Sequence, residues 1–71
     1  MWKETEIKGY KFTFKIYDIG SIFGINDGRV SKLSIRKNGK ELYNYDRGLD
    51  FNNLDEDGKE AFTIFLGIWN E

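Results

Sequence analysis

Residues 53–60 read NLDEDGKE, and their carboxylate spacing is the first place to look for chemistry. With Gly58 as the sixth residue of a calcium-binding EF-hand loop, Asn53, Asp55 and Asp57 take the first, third and fifth positions. The twelfth position, which needs a bidentate Glu, is then Ile64, and Asn53 brings no charge to the first. No helical pattern precedes the stretch. It reads better as a helix start. Asn53 with Glu56 has capping-box spacing, and Asp57 with Glu60 offers a second N-cap. Acidic residues in a first turn are stabilised by the positive helix end. No metal site is expected.

Two further stretches invite a chemical reading. In IGSIFGINDG, Gly20, Gly24 and Gly28 alternate with Ile22, Phe23 and Ile25. A phosphate cradle needs Gly-Lys-Ser/Thr opening a helix or a strand–GxGxxG–helix unit, and here a basic strand follows instead. The segment reads as a connection whose Phe23 and Ile25 extend the core. The alternative is an exposed apolar tip, Ile22-Phe23, that enters a partner. In YNYDRG, Tyr45 and Asp46 have the types of an acid–base pair, with Arg47 as an anion clamp. Nothing in the spacing demands that, and Asp46 is better used on Arg47, Arg29 or a turn amide. With no Cys and no His in the chain, thiol nucleophiles and the commonest general base are absent. No catalytic residue and no cofactor are expected.

The strongest candidate surface is a sheet face. Lys11, Lys15 and Tyr17 from one hairpin are expected beside Lys32, Arg36, Tyr43, Tyr45 and Arg47 from another. Aromatics among cations on an open sheet suit single-stranded nucleic acid, and they equally suit another protein. Cross-strand Tyr–Lys packing on a solvated face is the plain alternative.

The elements that must position these residues follow from periodicity. Tyr10–Asp18 alternates, with Phe12, Phe14 and Ile16 on one side and Lys11, Thr13, Lys15 and Tyr17 on the other. Residues 2–8 and 10–18 are predicted as one hairpin turning at Gly9. Asn38-Gly39 suits a two-residue type I′ turn and predicts a second hairpin, 29–37 with 40–47. That turn sets Lys37 opposite Lys40, Arg36 opposite Glu41, Ile35 opposite Leu42, Leu33 opposite Asn44 and Lys32 opposite Tyr45. Leu33, Ile35 and Leu42 then share the inner face; Lys32, Arg36, Glu41, Tyr43, Tyr45 and Arg47 share the outer one. Over about 55–70, Ala61, Phe62, Ile64, Phe65, Leu66, Ile68 and Trp69 fall on one helical arc centred near Phe65. The expected fold is α+β: a four-stranded antiparallel sheet of two hairpins with one C-terminal helix packed on one face.

GINDGRVSKLSIR followed by NYDRGLDFNNLDEDGKEA resembles a family of short uncharacterised proteins of Gram-positive bacteria and their phages or mobile elements. The likeness runs from about Tyr17 to Ala61. It implies a setting, that of a small accessory protein, and no activity or site residue. Ile19 and Ile22 stand where the family pattern would be more polar, which makes the loop here more apolar.

Composition bounds what remains. The 71 residues form one expected domain near the lower size limit for a self-sufficient core, and 17% of them are aromatic. The net charge of −1 conceals an uneven distribution. Residues 21–40 carry Arg29, Lys32, Arg36, Lys37 and Lys40 against Asp27, whereas residues 41–71 carry eight acidic side chains against Arg47 and Lys59. No signal peptide and no membrane span are apparent, so a cytoplasmic location is expected. The expected function is a non-enzymatic module that binds another protein, such as a host defence protein; the alternative is a nucleic-acid-binding module using the basic sheet face.

Overall fold

Asn38 and Gly39 have φ of 54° and 78°, the positive pair that a type I′ turn requires. Lys8 and Gly9 repeat that geometry one hairpin earlier, with φ of 55° and 82°. The computed structural model describes residues 2–70. Its strands are β1 (Trp2–Ile7), β2 (Tyr10–Ile16), β3 (Val30–Lys37), β4 (Lys40–Asp46) and β5 (Leu49–Asn52), followed by helix α1 (Glu56–Trp69). All neighbours are antiparallel and lie in chain order, so the sheet is a meander.

The sheet has five strands rather than four. The fifth is only four residues long, LDFN, too short to show a period of two. Arg47 takes a positive φ of 57° beside Gly48, and this turn lays Phe51 opposite Asn44.

The predicted register holds next to the turn and then slips. Lys37 faces Lys40 and Arg36 faces Glu41, but a bulge then leaves Leu42 over. Ile35 therefore faces Tyr43, Leu33 faces Tyr45 and Lys32 faces Asp46. One extra residue exchanges the two faces for everything beyond it. The polar partners of Glu41 show what holds the bulge. Its carboxylate accepts from the Ser34 hydroxyl and from the Asn44 amide, the latter at 3.1 Å. Residues 41 and 44 would point to opposite faces of a regular strand, and here both reach the outer one.

The core lies between the inner sheet face and α1. Phe65 is fully buried, stacked on Phe12 at 4.8 Å and edge-on to Phe14 at 4.8 Å. Burying a Phe side chain contributes about 1.5–3 kcal/mol, so this triplet anchors the helix. Trp69 adds a contact to Phe14 at 5.1 Å, and Tyr10, Ile25, Val30, Leu33, Ile35, Tyr43, Leu54 and Ala61 are buried with them. The buried arc of α1 is narrower than expected. Ile68 is 59% exposed and Ile64 is also exposed, because the helix leans its Phe62–Leu66 side onto the sheet. On the other side, β1 directs Lys3, Thr5 and Ile7 inward, and of these only Ile7 packs an apolar side chain against the core.

The helix start is real, but its cap is Asp55, which accepts from the Gly58 N–H at 2.8 Å. The Tyr10 hydroxyl donates to the same carboxylate, and the Lys37 ammonium lies 4.4 Å over the Tyr10 ring. Strand β2, turn and helix are tied at one point. Among the described residues, no helix is long and apolar enough to cross a membrane.

Candidate functional site

The cations on the outer face fall into two environments. At the turn end, Glu6, Lys11, Arg36 and Glu41 form a row of directly opposed residues. Arg36 lies 3.8 Å from Glu41, and each cation in the row has a carboxylate beside it. The corresponding row at the other end is Trp2, Lys15, Lys32 and Asp46. Here one carboxylate serves two cations. Asp46 Oδ1 is 3.7 Å from Lys32 Nζ and 3.6 Å from Arg47 Nε. The outer-face cations that share a carboxylate therefore sit at the end of the sheet where the β2–β3 connection lies.

That connection is built rather than slack. The Tyr17 N–H donates to the Arg29 carbonyl at 3.0 Å, extending the ladder past β2. Ser21 N–H reaches the Gly28 carbonyl, and Ile25–Asp27 make one tight turn with Asn26 and Asp27 at positive φ. Asn70, just past α1, fastens the segment to the helix. Its Oδ1 accepts from the Val30 N–H at 3.0 Å and its Nδ2 donates to the Ile25 carbonyl at 2.7 Å. A Cβ on Gly28 would collide with this carboxamide, which explains a glycine at that position. Arg29 donates to the Trp69 carbonyl at 3.4 Å and so lies at the negative end of the helix.

What this frame holds up is an apolar tip. Ile19 is 81% exposed, Ile22 80% and Phe23 53%. Ile25, in contrast, is buried, so one of the two residues expected to extend the core does so and Phe23 does not. Lys15, Tyr17, Lys32 and Arg47 from the predicted face meet Phe23 and Ile19 from the loop around a cleft of about 420 Å³, with Ser21 and Ser31 between them. Lys15 Nζ lies 5.5 Å over the Tyr17 ring. Hydrogen bonding to Lys15, aided by the charges of Lys15 and Lys32, holds the Tyr17 phenol below its usual 10.0. The surfaces read separately from sequence, basic face and apolar loop, are here one site.

Two of the predicted face residues are elsewhere. Tyr43 is buried on the inner face, its ring 4.9 Å from that of Phe62, and burial pushes its phenol up to about 12. Tyr45 is half-buried on the same inner side, and its hydroxyl donates to the Phe23 carbonyl at 3.1 Å. It holds the loop tip in place rather than presenting a ring. The bulge at Leu42 is the cause of both. Lys11 and Arg36 do face outward, but at the neutralised end. Ile19, Ser21 and Ser31 are the cleft residues that the face pattern did not name; only the apolar run through the glycine segment hinted at Ile19.

The fold and this cleft define a small α+β domain carrying a cationic, partly apolar recess at one end of its sheet. The chain belongs to the family described as Domain of unknown function (DUF7678), whose model matches residues 1–70. No curated protein and no solved structure matches it.

Proposed function

We propose that this protein is a non-enzymatic interaction module that binds another protein through the loop end of its sheet. The observation that carries this reading is that exposed Ile19 and Phe23 line one cleft with Lys15, Lys32 and Arg47, with exposed Ile22 in the same loop. Large apolar side chains held at the surface by a hydrogen-bonded frame stabilise little in the free chain, and they are what interfaces use as anchors. The resemblance to short accessory proteins supports a phage or mobile-element factor of Gram-positive bacteria, working in the cytoplasm on a host protein such as a defence component.

Capture from host lysates tests the reading, with two variants beside the parent protein. Ile22→Ser/Phe23→Ser should abolish capture of any specific partner, while Lys11→Ala/Arg36→Ala should capture it as the parent does. Equal capture by all three would remove the loop end from the account. Nucleic acid is the competing ligand. Retention of single-stranded DNA or RNA that weakens steeply with salt would replace the protein reading.

A further inference from the structure

Asp46 bridges two of the cations that line the cleft, yet it stands at the rim with its side chain 56% exposed. Exposed pairs at 3.6–3.7 Å contribute little to folding, so its position matters more for what else those cations can hold. We propose that Asp46 is an internal stand-in for a partner carboxylate, and that the cleft takes an acidic–apolar peptide segment. An Asp or Glu side chain of that segment displaces Asp46 and reaches Lys15, Lys32 and Arg47. A neighbouring apolar side chain lies on Phe23 and Ile19. This rests on the protein-binding reading and adds the partner's chemistry to it.

Charge and shape select this occupant. The lining carries three cations and no carboxylate of its own, and its Tyr17, Ser21 and Ser31 hydroxyls can donate to a carboxylate. A cleft of about 420 Å³ is small, enough for a few side chains and not for an extended chain. A nucleic-acid strand needs a longer cationic track. Beyond the cleft it would meet Glu4 opposite Thr13 and then the neutralised row from Glu6 to Glu41. Exposed Tyr17 and Phe23 offer rings for stacking, so it is the short cationic track that argues against a strand. A short acidic segment ends before those carboxylates repel it.

Fluorescence anisotropy with defined probes tests the proposal: a labelled peptide GEFELDG, its charge-reversed counterpart GKFKLKG, and a single-stranded oligothymidine. GEFELDG should bind saturably. Asp46→Asn should tighten it roughly threefold to tenfold, the range expected when two weak competing pairs are removed. Lys15→Glu/Lys32→Glu should abolish it, and Lys11→Ala/Arg36→Ala should leave it unchanged. Circular dichroism and urea midpoints confirm that each variant is folded. The proposal is overturned if Asp46→Asn leaves or lowers the affinity, if GKFKLKG binds as well, if oligothymidine binds instead, or if no probe saturates at millimolar protein. Should the peptide fail while Phe23→Ser still abolishes partner capture, the carboxylate assignment falls and the protein-binding reading stands. Should capture ignore Phe23, the reading itself falls.

Discussion

The Tyr43 ring packs against Phe62 with centroids 4.9 Å apart, joining β4 to the helix from below. Truncating a large buried aromatic removes its transfer free energy and leaves a cavity. Tyr43→Ala should therefore cost about 3 kcal/mol in urea unfolding. Tyr43→Phe, which keeps the ring, should cost under about 1 kcal/mol. A Tyr43→Ala protein as stable as the parent would return this side chain to the outer face.

The Tyr10–Asp55 contact makes stability depend on pH at both ends of the scale. Hydrogen bonds from the Tyr10 hydroxyl and then the Gly58 N–H hold the Asp55 carboxyl below its usual 3.8. The unfolded carboxylate takes its proton first as pH falls, so this contribution is full above pH 3.8 and lost below it, through the folded value. The Tyr10 phenol is pushed up to about 12, chiefly by the same bond, so its contribution is full below pH 10.0 and lost between there and about 12. Asp55→Asn should lower the urea midpoint at neutral pH and flatten the acid limb. Tyr10→Phe should reduce the alkaline loss while keeping the part that buried Tyr43 contributes. Unchanged pH profiles in both variants would show the contact to be energetically idle.

Asn70 satisfies the Val30 N–H and the Ile25 carbonyl with one side chain. Asn70→Ala leaves both groups without it, at a cost of about 2 kcal/mol. Because the carboxamide holds the loop to the helix, amide exchange should rise first at residues 20–28. Exchange that rises uniformly across the sheet instead would mean that Asn70 supports the whole fold and not the loop.

Gly39 at φ 78° occupies backbone space that a β-branched residue enters only with strain. Gly39→Val should cost roughly 1–2 kcal/mol or more, whereas exposed Lys40→Ala should stay within about 0.5 kcal/mol. Equal small effects would place the turn elsewhere.

The parts legible in the sequence are those with local causes. Asn38-Gly39 announces its turn, YKFTFKI its alternation, and Phe65 its place at the centre of the helical arc, because each signal lies within a few neighbouring residues. The bulge at Leu42 has no such signal. It depends on Ser34 and Asn44 meeting Glu41 across two strands, and a one-residue slip then sends Tyr43 and Tyr45 inward. The short β5 escaped for the related reason that four residues pair only because β4 is already there. The candidate site was half legible: Lys15, Tyr17, Lys32, Arg47 and Phe23 were each named. Their meeting at one end required the Asn70 and Tyr45 contacts that fold the loop over the sheet.

The loop end of the sheet is proposed as the surface that meets a partner. Hydrogen–deuterium exchange of the protein with a captured partner, against the protein alone, tests it most directly. New protection should fall on residues 15–23, on 31–32 and at Arg47, with the turn at Asn38-Gly39 unchanged. Protection confined to the exposed Ile64 and Ile68 side of α1, or to the Lys11 and Arg36 end of the sheet, would contradict it.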